Sequence, residues 1–390
     1  MKGVNLIRRP AIIALLASLI IGGDAYASCG VAQFGTYQQV APTFNGTANA
    51  ATFGWSVSSA GDVNLDGVDD LIVGDSSASV NGTNSGQAIV YSGANSSILY
   101  VFNGASAKDF YGHSVAGLGD VNGDGYSDVL IGADQFQHAN PSVGGYAEVR
   151  SGFDGSLIYS HSSLNPDDRM GISVASGGDV NRDGIPDYIV GADQFGTGPG
   201  YAQVFSGATG TLMFTLTGSI MNNSNFARSV SSAGDVNRDG RDDIIVGAPF
   251  DDITGTDSGR VFIFSGANGA VIHDIPGLAA GDWFGFQVGT IGDLDGDARE
   301  DVIISATQAT TSVGIQAGEV YVLSGLNASV IQTHSGTAAF QGFGTSLDGL
   351  GDINGDGCPD YLVGTQGDNT AGIAAGSVKV FSGSTGGIIY

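Results

Sequence analysis

Six short segments of this 390-residue chain set oxygen-bearing side chains at alternate positions and close on an aspartate. They are DVNLDGVDD (62–70), DVNGDGYSD (120–128), DVNRDGIPD (179–187), DVNRDGRDD (235–243), DLDGDARED (293–301) and DINGDGCPD (352–360). A hard divalent cation takes six to eight oxygens, mostly carboxylate and carbonyl, and a loop that winds around it turns alternate side chains inward. The expected ligands of the first loop are Asp62, Asn64, Asp66, the backbone carbonyl of Val68, and Asp70. The second and third sets are Asp120, Asn122, Asp124, Tyr126, Asp128, and Asp179, Asn181, Asp183, Ile185, Asp187. The fourth and fifth are Asp235, Asn237, Asp239, Arg241, Asp243, and Asp293, Asp295, Asp297, Arg299, Asp301; the sixth is Asp352, Asn354, Asp356, Cys358, Asp360. The seventh position varies freely because only its carbonyl is used. Asp-Gly pairs ordinarily mark surface turns, but six concordant copies point to cation sites, with calcium favoured over magnesium because several protein oxygens crowd one flexible loop.

These loops do not sit between helices. An EF-hand loop closes with a glutamate at its twelfth position. Here the twelfth residue of the fourth loop is Val246, inside the β-branched run IIVG. An aspartate at position nine closes the shell instead, which frees position twelve to be a buried strand residue. The fifth loop departs from the rest: it gains a carboxylate at Asp295 and has Ala298 where the others have glycine. If that position needs a left-handed backbone, alanine there costs about 1 kcal/mol.

The elements that hold the loops repeat with them. The loops start 58, 59, 56, 58 and 59 residues apart, a period that signals stacked or radially arranged units. Nine residues before each loop stands Phe53, Tyr111, Met170, Phe226, Phe284 or Phe343, followed by glycine except at Ala227. Twelve residues after each loop begins, Gly74, Gly132, Gly191, Gly247, Ser305 or Gly364 is expected to open a turn. A further apolar segment then ends in Ser-Gly, as in AIVYSG and VFIFSG. Short β-branched runs bounded by Gly, Asn, Asp and Ser read as strands, and four per unit describe a propeller blade.

The Phe53-Gly54 pair, the Gly247-Ala248-Pro249 triplet and the loops between such motifs resemble the FG-GAP repeats of integrin α-subunit propellers. The resemblance spans residues 37–390 and implies an all-β propeller of six four-stranded blades, with seven as the alternative. The last repeat stops at GGIIY, and VAPTFNG (40–46) is similar to ILYVFNG (98–104), so the N-terminal stretch is expected to close the ring as the outer strand of the last blade.

Composition bounds the partners. Thirteen Lys and Arg face 39 Asp and Glu, for a net charge of −26. That balance excludes a basic nucleic-acid-binding face, and 42% hydrophobic residues exclude disorder. Residues 1–27 read as a secretory signal, with Lys2, Arg8 and Arg9 before the apolar stretch Ala11–Gly23 and a cleavage site at Ala25-Tyr26-Ala27. Residues 28–36 form an N-terminal extension. No later segment is long and apolar enough to span a membrane. The mature chain is then expected to be secreted, periplasmic or attached to the cell surface. The two cysteines, Cys29 and Cys358, are placed to join the N-terminal closing strand to the last blade by a disulfide; Cys29 as a lipid anchor is the alternative.

The five histidines form no metal motif, and no nucleophile elbow or phosphate loop is present. A calcium-binding propeller that recognises a glycan, a protein or a cell surface fits best, with up to six Ca²⁺. A polysaccharide lyase or hydrolase, or a purely structural propeller, is the alternative. The partner site is expected on the face opposite the loops. There the residues just after each FG pair, Trp55, His113, Ile172, Arg228, Phe286 and Thr345, should ring one mouth of the channel, with Trp55, His113, Arg228 and Phe286 as the binding set.

Overall fold

The computed structural model describes residues 52–135, 144–163, 165, 167–194, 198–218, 223–372 and 375–390. The signal segment, the N-terminal extension, Cys29, the closing stretch 40–46 and most of the turn 134–145 lie outside these. Among the described residues there is no helix long and apolar enough to cross a membrane.

Every unit is an antiparallel meander. In the first blade, strands Ser56–Gly61, Asp70–Asp75, Gln87–Tyr91 and Ile98–Asn103 pair in chain order. Four more sheets repeat this order. In the sixth, Phe343–Gly351, Asp360–Thr365 and Ser377–Phe381 pair in turn. Its outer position is begun by the chain's last residues, with Ile388 bridged to Phe381 and the Ile389 amide donating to Val380. From the first blade to the sixth, the first strand of each packs on the first strand of the next, so it is innermost, and the six blades form a six-bladed β-propeller.

Burial follows this layout. The second strand is buried along its whole length in all six blades, while the outer strands alternate between exposed and half-buried. The large residue of each FG position is buried: Phe53, Tyr111, Met170, Phe226, Phe284 and Phe343. The twelfth loop residues, Val73, Ile131, Val190, Val246, Ile304 and Val363, are also in the core.

The small residue twelve positions into each unit does not open a turn, as the sequence reading had it. It lies inside the second strand, and the turn follows it. The reason is the seam between blades. A Cβ on Gly247 would lie 2.0 Å from the carbonyl oxygen of Gly285, the FG glycine of the next blade, and Gly74 meets Gly112 at the same distance. The two motif glycines are therefore the two sides of one backbone contact.

Candidate functional site

Each oxygen-rich loop joins the innermost strand to the second strand and is wound by its own side chains. In the first, a carboxylate oxygen of Asp62 accepts the Asp66 amide at 3.0 Å and the other accepts the Gly67 amide at 2.9 Å. Asn64 accepts from the Asp66 amide, and Asp66 accepts from the Val68 amide. The same bonds recur around Asp120, Asp179, Asp235, Asp293 and Asp352. The winding needs two left-handed residues, at positions four and six. Position six is glycine in five loops and Ala298, at φ 64°, in the fifth. Position four is left-handed too, and is filled by Leu65, Arg182 and Arg238 in three loops.

The aspartate at position nine fastens the loop to its blade. Asp70 accepts the Val63 amide at 2.8 Å with one oxygen and the Gly93 amide at 3.0 Å with the other. Asp128, Asp187, Asp243, Asp301 and Asp360 accept from Gly152, Gly207, Gly266, Gly325 and Gly383 in the same way. These glycines belong to the Ser-Gly that ends each third strand. A Cβ on Gly93 would lie 2.0 Å from the Asp69 carbonyl oxygen, so the turn comes close enough to donate only because it has no side chain. The serine contributes as well: Ser151 donates to Asp124 at 3.2 Å and Ser382 to Asp356 at 3.2 Å. The Ser-Gly repeat is visible in the sequence, but its bond to the loop is not; its equal recurrence in every unit is the signal.

Burial dominates the electrostatics of position nine. It raises the Asp70 carboxyl, and pushes Asp128, Asp187 and Asp360 up to about 6 and Asp243 and Asp301 up to about 7, against the opposing backbone hydrogen bonds. In the fifth loop, carboxylate oxygens of Asp293, Asp295 and Asp297 all lie within 4.8 Å of one another. Cys358, whose carbonyl is the expected ligand at position seven, is buried and disulfide-bonded.

The other end of the innermost strands is different in every blade. Trp55 is 54% exposed there, with its ring 5.7 Å from that of His113 in the next blade. The Arg228 guanidinium lies 5.6 Å from the Phe286 ring centroid, again across a seam, and Trp283 stacks on Phe286 at 6.1 Å. Among the described residues no carboxylate lies within ion-pair distance of Arg228, whose pKa burial lowers. Ile172 is buried and Thr345 half-buried, its hydroxyl donating to the Gly364 carbonyl at 3.4 Å.

Three charged residues outside the expected set join this end. Arg169 donates to Asp134 from Nε and Nη2 at 3.3 and 3.2 Å, and to Asp193 from Nη1 at 3.2 Å. His113 Nδ1 lies 3.7 Å from Asp134, and burial lowers the imidazole to about 4, leaving it neutral. Among the described residues, one buried oxygen of Asp134, one of Asp193 and the buried Nε2 of His113 have no hydrogen-bond partner. The twice-written GADQF that carries both aspartates was legible in the sequence as a departure from GAP.

A family model described as FG-GAP repeat matches residues 53–91, 111–147 and 226–264. Three of the six units thus match as FG-GAP repeats. The matched spans run from the buried aromatic through the loop and into the third strand of blades one, two and four. Integrin alpha pat-2 of Caenorhabditis elegans is 30% identical over 257 residues, covering 59% of this chain and 20% of that one. Integrin alpha-5 of Xenopus laevis and integrin alpha-V of Gallus gallus are each 31% identical, over 52% and 53% of this chain. The chain thus spans about a fifth of the length of these curated relatives.

Proposed function

We propose that the chain is an exported, calcium-stabilised binding or adhesion module. Its loops hold calcium, and the opposite face of the ring takes a glycan, a protein or a cell surface. The donor set fits a hard divalent cation. Carboxylates at positions one, five and nine, with Asn or Asp at three, surround a loop whose amides already turn those oxygens inward, and the carbonyl at position seven is free of the winding bonds. Calcium would supply structural charge compensation there, with dissociation constants of order 10⁻⁴ to 10⁻³ M, as in extracellular modules.

The observation that carries the binding assignment is the contrast between the two ends. One repeats the same hydrogen bonds six times; the other differs at every blade and presents exposed Trp55, an arginine with no carboxylate within ion-pair distance among the described residues, and stacked aromatics. Positions released from a repeated frame are where recognition is written. Glycan and protein arrays probed with the calcium-loaded protein test this, followed by Trp55→Ala and Arg228→Ala. Loss of binding by about tenfold or more with an unchanged melting temperature supports the site; unfolding without selective loss refutes it. Turnover of an acidic polysaccharide in a parallel assay would favour the lyase reading.

A further inference from the structure

We infer that loops three, four and five take up their ions as a linked set, whereas loops one, two and six fill independently; this rests on the calcium reading above. The distinction comes from side chains that reach from one loop to another. Arg182, at position four of loop three, donates through Nε to the Gly240 carbonyl and through Nη2 to the Asp239 carbonyl of loop four. Arg241, at position seven of loop four, reaches back through Nη1 to the Val180 carbonyl of loop three at 2.7 Å. Asp242 accepts the Asp179 amide at 2.7 Å. Arg299, at position seven of loop five, donates to the Val236 carbonyl of loop four.

These contacts fall on the ion-binding backbone itself. Asp239 and Asp179 are ligand positions, Val180 and Val236 each follow one, and Arg241 and Arg299 stand where the carbonyl is used. A guanidinium that spans two loops keeps its bonds only while both loops hold their wound shape. Closing one loop around an ion therefore removes part of the ordering cost of the next.

Among the described residues the other junctions show no such clasp. Loops one and two share one backbone bond, from the Ser127 amide to the Asp62 carbonyl at 3.3 Å. At the junctions two–three and five–six, position eight is Pro186 or Pro359, whose ring lies 3.5 or 3.4 Å from where a Cβ on Gly119 or Gly292 would stand, with no side-chain clasp among the described residues. Proline has no amide hydrogen to donate, and its ring offers no acceptor.

The test is a calorimetric titration of resin-stripped full-length protein with calcium alone. In the wild type, later ions of the linked set should bind about fivefold or more tighter than the first, a coupling at the lower end of the usual range. Arg182→Gln with Arg241→Gln leaves every ligand side chain and carbonyl in place. It should release loop three from the set and make the isotherm less steep, with the melting temperature in saturating calcium unchanged, and adding Arg299→Gln should flatten it toward independent sites. Should the double variant fail to fold, Arg299→Gln cuts only the link between loops four and five and should reduce the steepness in part. Equal steepness in wild type and variants overturns the coupling, even if average affinity rises from the lost positive charge. No calcium uptake by the wild type overturns the calcium reading itself.

Discussion

At position six of the loops, backbone conformation decides which residue fits. The left-handed conformation anticipated for Ala298 is present, at φ 64°, and its equivalent Gly67 has nothing within 4 Å of a built Cβ. The cost of a side chain there is thus backbone strain alone. Ala298→Gly should stabilise the protein by up to about 1 kcal/mol, and Gly67→Ala should cost a similar amount; thermal denaturation of both in the same calcium buffer checks the pair. The ligand positions were legible because each needs an oxygen-bearing side chain. Position four was not, since Leu65, Arg182 and Arg238 adopt the left-handed region without any residue type to announce it. The position-nine anchor was half legible: its carboxylate could be read, but its donor is a main-chain amide 23 residues away in the first blade.

At the scale of elements, strand number, order and the placement of the loops between first and second strands all followed from the repeat. What the repeat could not convey was why its glycines recur. Gly247 stands in a strand that is otherwise Asp, Ile, Val and Ala, and its role becomes visible only when the Gly285 carbonyl of the next blade is laid against it. Gly247→Ala should force the fourth and fifth blades apart and destabilise the protein by about 3 kcal/mol or more, well above an ordinary strand substitution. Denaturant unfolding measures this, and a loss under 1 kcal/mol would mean the seam yields easily. The mouth was less legible than the frame. Trp55, His113, Arg228 and Phe286 were expected there as single residues; the structure joins them in two pairs across seams and adds Asp134, Arg169 and Asp193.

For the whole molecule, charge and stability are linked through the six buried carboxylates at position nine. Their folded-state pKa values are raised above the usual carboxylate range, to about 6 or 7 in five loops. The ion-free fold therefore holds protons that the unfolded chain releases. The stability they contribute is fully present below the ordinary aspartate pKa, near 4, and is lost as pH rises through about 6 to 7. Resin-stripped protein should accordingly melt at a higher temperature at pH 5 than at pH 8. Added calcium should raise the melting temperature more at pH 8, where no proton competes with it, and should do so better than magnesium. A stripped protein whose melting temperature is the same at both pH values would contradict this.

The position-nine anchor has one more consequence, for how such a ring diversifies. It spends one carboxylate and two main-chain amides, and so asks nothing of the side chains at positions four, seven and eight. Those are the places where one copy carries leucine, another arginine and another proline. A lineage can therefore rewrite a single blade at these positions while the remaining blades keep their shape. The arginines that clasp neighbouring loops stand at such unclaimed positions, as private edits to a text otherwise copied six times.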